Sequence, residues 1–250
     1  MIQLININKT FNKGLATENI AIKNVSVKIE SKDFVVIVGS NGSGKSTLLN
    51  TIAGNVLIDS GQIIFNEKDN VTSLKDYQRT KWVSRIFQNP LIGTAPDLSI
   101  LDNFRLAALR TQPKKVTIGI NHQFIEKVKE SLSSLSMGLE NKIHQPVGSL
   151  SGGQRQAITL LMSVFDKSSI LLLDEPTAAL DPKSASIVME TANRLILSLQ
   201  LTAILVTHNL KEATTFGNRI IQMHHGEIIK DLNNDKKSML KGADIFQWFQ

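Results

Sequence analysis

Gly39-Ser40-Asn41-Gly42-Ser43-Gly44-Lys45-Ser46-Thr47 lies between two apolar runs and fits the pattern G-x-x-x-x-G-K-[ST]. The run before it, Phe34–Val38, is continuous and rich in β-branched residues, as in a strand buried on both faces. The run after it, residues 48–53, suits the start of an apolar helix. Glycines let such a loop curl until successive backbone N–H groups face one point, and the positive end of the following helix adds to them. The sequence therefore predicts a strand, a phosphate-binding loop and a helix.

Three further segments that resemble strands end in polar residues, the pattern expected at the carboxyl ends of parallel strands. They are residues 82–87 before Gln88, residues 169–173 before Asp174 and Glu175, and residues 203–206 before His208. In open α/β sheets the ligand lies beyond these strand ends, so the polar residues are expected to share one site. The chain is therefore predicted to have an α/β fold with a mainly parallel sheet.

Several of these side chains suit a nucleoside triphosphate and Mg²⁺. Lys45 supplies a point charge for the β- and γ-phosphates, and the hydroxyl of Ser46 is a ligand for the metal ion. Asp174 can hold the hydration shell of the same ion. The residues therefore predict a site for a triphosphate and its metal ion.

Hydrolysis of the γ-phosphate needs a group that orients or deprotonates water, and Glu175 is the candidate for it. Gln88 and His208 are candidates for sensing the γ-phosphate and the attacking water. Taken alone, an acidic pair after a strand is usually a loop start or a helix cap, and a single histidine is usually structural. Their combination with the phosphate-binding loop favours the catalytic interpretation.

Composition narrows the class of protein further. The chain has 250 residues, 42% of them hydrophobic, a net charge of +6 and no cysteine. Disulfides, thiolate metal sites, iron–sulfur clusters and cysteine nucleophiles are excluded, and the dispersed charge does not predict nucleic-acid binding. The apolar runs are far shorter than the roughly 18 to 20 residues of a membrane helix, and the first residues do not form a secretory signal. We expect a cytoplasmic protein.

A second glycine-rich segment precedes the apolar run 157–165. Its residues Ser151-Gly152-Gly153-Gln154 form a possible capping box, with Ser151 as the N-cap and Gln154 at the third helical position. A cap does not require two glycines, and Gly152 and Gly153 would let a ligand approach the exposed N–H groups. The segment therefore predicts a second anion-binding helix end, in preference to a helix that is only capped.

The rest of the sequence predicts a single nucleotide-binding domain with three regions. We expect a core at roughly 1–88 and 155–230, a helical subdomain at roughly 89–154 and a tail at 231–250. Within these regions we expect antiparallel strands at 3–8, 22–29 and 62–66, helices at 100–109 and 124–135, and a hairpin formed by 219–223 and 227–230.

Taken together, the motifs resemble the nucleotide-binding subunits of ATP-binding-cassette (ABC) transporters over essentially the whole chain. The matching elements are the P-loop at 39–47, a Q-loop glutamine at Gln88, the signature LSGGQ at 150–154, the pair Asp174-Glu175, a D-loop ending at Asp181, and the switch histidine His208. The signature separates this family from other P-loop ATPases. The resemblance implies a P-loop ATPase core with an N-terminal antiparallel portion and an inserted helical subdomain.

The resemblance also implies ATP and Mg²⁺ as ligands and a head-to-tail dimer, either a homodimer or a pseudo-symmetric pair of cassettes. ATP would lie between one subunit's P-loop and the other subunit's signature, where Ser151 and Gly153 act across the interface. Glu175 would polarise the attacking water and His208 would contact the γ-phosphate, while Gln88 and Ser46 complete the metal environment. Phe11 stands where the family has an aromatic residue that stacks on adenine, commonly tyrosine.

In this family, a cassette without membrane segments works with separate permease subunits. The single-cassette layout resembles importers, which implies a solute-binding protein and a peripheral position on the inner face of the membrane. The permease would contact the region near Gln88 and the segment after it. Short stretches at 93–95, 207–210 and 217–219 are similar to a subgroup linked to uptake of amino acids such as tryptophan or tyrosine. The alternative is a soluble ABC ATPase in cluster assembly or another mechanical role.

Overall fold

The computed structural model describes residues 1–89, 91–109, 119–165, 168–240 and 242–249. They form two compact units. The first unit comprises Met1–Arg79, Leu172–Glu175 and Leu199–Gln250, and the second comprises Thr80–Leu171 and Pro176–Ser198. The predicted α/β class, with an N-terminal antiparallel sheet and a mainly parallel sheet, is confirmed.

The strands and helices have the following bounds. The strands are β1 (Ile2–Phe11), β2 (Asn19–Ile29), β3 (Phe34–Val38), β4 (Ser60–Phe65), β5 (Asp69–Asn70), β6 (Val83–Ile86), β7 (Ile170–Asp174), β8 (Thr202–Val206), β9 (Arg219–His224) and β10 (Glu227–Leu232). The helices are α1 (Lys45–Ala53), α2 (Asp76–Arg79), α3 (Ile100–Ala108), α4 (His122–Ser133), α5 (Gly152–Phe165), α6 (Pro182–Ser198), α7 (Leu210–Thr215), α8 (Asn234–Ser238) and α9 (Gly242–Phe246). Short 3-10 turns lie at Leu139–Asn141, Val147–Ser149 and Gln247–Phe249.

The antiparallel sheet of the first unit has the strand order β2-β1-β4-β5. Ile2 pairs with Ile29 on one side and with Phe65 on the other, and all three side chains are buried. The first two strands extend beyond the predicted segments because shifts in register carry the pairing on to Phe11. Asn6, at one of these irregularities, has a φ of 48°, in the left-handed region that asparagine tolerates better than most residues.

The parallel sheet is centred on β3, whose five residues are all buried. Its order in the first unit is β10-β9-β3-β8-β7, and β3 runs parallel to both β8 and β9. The predicted hairpin is present as β9 and β10, which pair in antiparallel fashion. Burial on both faces explains why these strands are continuous apolar runs and not alternating ones. The polar residues that follow β3, β7 and β8 form the candidate site.

The residues after β10 pack back onto the first unit. Ile245 and Trp248 are buried, and the ammonium group of Lys230 lies 4.4 Å from the centroid of the Trp248 ring. The sequence alone did not distinguish this packing from contact with a partner.

The second unit is mainly helical, and the two helices predicted at 100–109 and 124–135 are confirmed as α3 and α4. Asn121 moves the start of α4 towards the N-terminus, because its side chain accepts a hydrogen bond from the backbone of Phe124. The apolar faces of α3, α4 and α5 share one core, in which the rings of Phe104 and Phe165 meet edge to face. In the same unit, backbone N–H groups of residues 169 and 170 donate to Trp82, so β6 lies beside the start of β7. Among the described residues, no helix combines the length and apolar character needed to cross a bilayer.

Candidate nucleotide site

The loop between β3 and α1 has a shape that depends on glycine. Gly44, the N-cap residue of α1, has a φ of 98°, and a Cβ atom there would lie 2.3 Å from the carbonyl oxygen of Ala21. Gly39 is equally constrained, because its Cβ would lie 2.2 Å from the carbonyl oxygen of Met223. Gly42 also has a positive φ, 78°, but an added Cβ would meet nothing within 4 Å. The outer part of the loop is therefore open, while its base packs closely against neighbouring backbone.

The first turn of α1 keeps its hydrogen-bond donors available. The first N–H groups of a helix have no partner within the helix, and no side chain caps those of α1. The hydroxyl of Ser43 is buried and has no hydrogen-bond partner among the described residues. Such donors, together with the positive end of the helix dipole, fit an anion with several acceptor oxygens. Because of these donors, the loop fits a phosphate chain.

Lys45 is held inside the loop. Its ammonium group donates to the carbonyl oxygens of Gly39 and Ser40, each at 2.8 Å. Burial lowers the pKa of Lys45, and the negative charges of Glu175 and Asp174 oppose that shift. The loop carbonyls therefore fix the position of the charge, and one of the three ammonium hydrogens remains for a ligand.

The end of β7 brings a carboxylate to the first turn of α1. The hydroxyl of Ser46 lies 3.3 Å from Oδ1 of Asp174. Hydroxyl and carboxylate oxygens are the ligand types that Mg²⁺ prefers. Within the described ranges no group of three or more carboxylate or imidazole side chains could hold a metal ion. An ion at Ser46 and Asp174 would therefore need further oxygens from water or from a phosphate chain, which suits a metal–nucleotide complex.

Glu175 follows the end of β7 in an unusual backbone conformation. Its φ is 47°, and its N–H donates to the carbonyl oxygen of Val206 at 3.0 Å. Its carboxylate Oε2 lies 3.1 Å from Nδ1 of His208, the second residue after β8. A positive φ at a residue with a side chain persists only where its surroundings hold it, and such residues cluster at active sites. The two strand ends therefore bring a carboxylate and an imidazole into contact.

The glycine loop, the first turn of α1 and Glu175 line a cavity of about 190 Å³ in the first unit. It is lined by Asn19, Ala21, Asn41, Gly42, Gly44, Lys45, Ser46, Thr47 and Glu175. Asn19 pairs with Phe11 in the register of β1 and β2, so the aromatic residue stands next to the cavity wall. Asn19 and Ala21 belong to none of the sequence motifs. No local signal marks them, because the close packing of β2 against Gly44, and not a motif, brings them to the loop.

The remaining predicted residues lie in the second unit. The capping box at the start of α5 is formed: the Ser151 hydroxyl accepts from the Gln154 backbone at 3.3 Å, and the Gln154 side chain accepts from the Ser151 backbone at 3.1 Å. A Cβ at Gly153 would lie 2.5 Å from the hydroxyl oxygen of Ser184, whereas one at Gly152 would meet Leu180 at 3.5 Å. Close packing against α6 therefore accounts for one of the two glycines.

Asp181 and Gln88 have simpler surroundings. Asp181 caps α6, because its Oδ1 accepts hydrogen bonds from the backbone of Lys183 and Ser184. Hydrogen bonds from Ser184 lower the pKa of the Asp181 carboxyl group. Gln88 is exposed and follows β6 by two residues.

The strand, the glycine loop, the uncapped helix and the carboxylate at the end of β7 define a P-loop nucleoside-triphosphatase fold. The chain belongs to the ABC transporter family, whose model matches residues 22–178. It is therefore an ABC-type ATP-binding protein and ATPase.

Individual relatives agree with this assignment. The chain is 38% identical over 250 residues to a tyrosine transport ATP-binding protein of Clostridioides difficile, covering 100% of this chain and 99% of the relative. It is 31% identical to a phosphonates import ATP-binding protein of Lactobacillus delbrueckii, covering 92% and 89% of the two chains. Among solved structures, a dimeric ATP-binding cassette in a post-hydrolysis state with ADP and Pi is 28% identical. It has a TM-score of 0.79 and the match covers 94% of this chain and 99% of that one.

Proposed function

We propose that the chain is the ATP-hydrolysing subunit of a membrane importer, attached to the inner face of the membrane through separate permease subunits. The observation that carries the catalytic part is the contact of Glu175 with His208 beside the Lys45 loop. This contact places a candidate base, Glu175, and its polar partner, His208, beside the phosphate site of the first unit. The importer part is supported by the import and transport names of the relatives.

The triphosphate is bound by the loop residues 39–47. Backbone N–H groups of the loop and of the first turn of α1 donate to the phosphate oxygens, and Lys45 neutralises the β- and γ-phosphates. Phe11 stacks on the adenine, which its position beside Asn19 supports. The absence of a phenolic hydroxyl leaves the π-face for stacking.

Ser46 and Asp174 would hold Mg²⁺, Asp174 through water, and Gln88 would complete the set. Mg²⁺ supplies positive charge at the phosphate oxygens when it is bound. The 3.3 Å contact of Ser46 with Asp174 supports this pair.

Glu175 acts on the water that attacks the γ-phosphorus. One carboxylate oxygen contacts His208, and the other remains to accept a proton from water. The water oxygen bonds to the γ-phosphorus, the bond from that phosphorus to the bridging β–γ oxygen breaks, and ADP leaves with that oxygen. The proton passes to Glu175, and the products are ADP and phosphate. His208 contacts the γ-phosphate during this step.

A second copy, or a related cassette, completes the site. Its Ser151, Gly152, Gly153 and Gln154 present the N-terminus of α5 to the γ-phosphate, and Asp181 lies in the adjoining D-loop. ATP then holds the two subunits together, and hydrolysis lets them separate. The dimeric state of the solved cassette supports this arrangement.

The permease docks on the helical region at 89–154. Exposed apolar side chains there support a protein partner; they are Leu91, Ile92, Leu98 and Leu106. A solute-binding protein delivers the cargo. The full-length match to a tyrosine transport protein supports an aromatic amino acid as that cargo.

Purification of the tagged chain from detergent-solubilised membranes tests the importer assignment. We expect integral membrane subunits in the complex, and ATP-dependent uptake of labelled tyrosine when the complex is placed in vesicles with its binding protein. Recovery of soluble partners alone would favour a cluster-assembly or mechanical ATPase.

A further inference from the structure

Gln156 links the start of α5 to two other segments of the second unit. Its side chain is fully buried, and its amide nitrogen donates to the carbonyl oxygens of Phe87 at 3.0 Å and Pro176 at 2.8 Å. Phe87 directly precedes Gln88, and Pro176 directly follows Glu175. One amide group therefore fixes the backbone next to two residues of the proposed chemistry.

The hydrogen bonds of Gln156 differ from those of its buried neighbours in α5. The hydroxyl of Thr159, for example, donates to the carbonyl oxygen of Arg155, a hydrogen bond within the helix itself. Both hydrogen bonds of Gln156 leave the helix. A buried amide that serves only to fill space is unfavourable compared with an apolar side chain of the same length.

The other end of the amide supports this interpretation. Oε1 of Gln156 is buried and has no hydrogen-bond partner among the described residues. Leaving a buried acceptor unsatisfied costs free energy, which an apolar residue would avoid. The hydrogen bonds from its nitrogen to the two carbonyl groups therefore explain why glutamine occupies this position.

We propose that Gln156 is a positioning residue for ATP hydrolysis, which sets the backbone before Gln88 and after Glu175; this inference rests on the proposed function. Glu175 has a φ of 47°, a conformation that relaxes unless neighbouring backbone is held. Fixing the carbonyl of Pro176, one residue further on, holds it. Gln156 is neutral and lies outside the nucleotide loop, so its loss lowers kcat and leaves nucleotide affinity unchanged.

Gln156→Met tests the proposal in the full chain, because methionine is apolar and similar in length. We expect kcat for ATP to fall about tenfold, the effect of losing one to two hydrogen bonds of ordinary strength. We expect the dissociation constant of a fluorescent ATP analogue to stay within about twofold of the wild-type value. The matched control is Thr159→Val, which removes a buried hydrogen bond internal to α5 and should leave kcat within about twofold.

Gln156→Glu gives a second readout that a purely structural role would not produce. An ionised carboxylate would face two carbonyl oxygens, whereas the neutral acid has one O–H to donate to them. Burial favours the neutral form. The kcat of this variant relative to wild type should therefore rise as the pH falls from 8 to 6, while the same ratio for Gln156→Met stays flat. If Gln156→Met does not fold, the pH dependence of Gln156→Glu alone tests the positioning role.

The outcomes separate this inference from the proposed function. If Gln156→Met turns over ATP as fast as Thr159→Val, or if the Gln156→Glu ratio does not depend on pH, the positioning role is wrong. In both cases wild-type hydrolysis and an inactive Glu175→Gln variant leave the proposed function intact. An inactive wild-type complex, or full activity of Glu175→Gln, overturns the proposed function instead.

Discussion

Two helices of this chain, α1 and α5, begin at glycine-rich segments, but the N–H groups of their first turns have different partners. The first turn of α1 has Gly44 as its N-cap and no side-chain cap, so its N–H groups remain for a ligand. The first turn of α5 is capped by its own Ser151 and Gln154. A glycine pattern alone therefore does not make an anion site. In a single chain, α1 is ready to bind phosphate, whereas the side-chain cap of α5 already takes the backbone N–H of Gln154 in its first turn.

The largest effect is expected at the carboxylate beside α1. Glu175→Gln should lower kcat at least roughly a hundredfold, because the variant lacks the positioned base. ATP should still bind, because the loop donors and Lys45 are unchanged. Steady-state phosphate release and equilibrium titration with ATP measure the two quantities. Near-normal turnover would remove Glu175 from its role.

The second-largest effect is expected on ATP affinity, when the charge of Lys45 is removed from the loop before α1. Lys45→Ala removes a cation that two carbonyl groups hold at 2.8 Å, and hydrogen bonds to charged groups contribute about 1.5 to 3 kcal/mol. The dissociation constant for ATP should therefore rise by about tenfold or more. Isothermal titration of the variant and of Lys183→Ala, at the exposed start of α6, provides the matched pair. Unchanged affinity in Lys45→Ala would count against the phosphate loop.

A pair of glycine variants compares the two helix starts directly. Gly44→Ala places a Cβ 2.3 Å from a backbone oxygen at a φ of 98°, so the loop must deform and ATP affinity should fall. Gly152→Ala meets a leucine methyl at 3.5 Å, an ordinary contact, and should leave ATP affinity of the single chain unchanged. Equal affinities for the two variants would show that the loop geometry is not what binds the nucleotide.

The smallest effect is expected at the cap of α5. Ser151→Ala should lower the free energy of unfolding by about 1 kcal/mol, the usual contribution of an N-cap. For a chain of this length, the melting temperature should fall by about 2 to 4 °C. Differential scanning calorimetry measures the shift, and ATP affinity of the single chain should not change. A loss of affinity without dimerisation would mean that α5 binds nucleotide within one chain.

The nucleotide loop could be predicted from the sequence because its signals are local. A buried strand, three glycines and an apolar helix follow one another within 34–53, and each element requires its neighbour. The strand ends before Asp174 and His208 were equally visible, because strands buried on both faces are continuous apolar runs.

Features that depend on distant parts of the chain could not be predicted. Asn19 lines the cavity because β2 packs against the loop, and glycine is required at position 153 by the close packing against Ser184. The hydrogen bonds of Gln156 to Phe87 and Pro176 likewise join segments that are far apart in sequence. Residue patterns carry no signal for such contacts until the topology is known.

Hydrogen–deuterium exchange of the Glu175→Gln chain, with and without ATP and Mg²⁺, tests the central contrast most directly. At concentrations where the chain keeps its 27.6 kDa monomer mass, ATP should protect the backbone amides of residues 40–47 and leave those of residues 151–156 unchanged. Protection at the start of α5 should appear only when the mass doubles. Protection of residues 151–156 in the monomer, or none at residues 40–47, would show that α1 is not the nucleotide site of the single chain or that α5 shares that role.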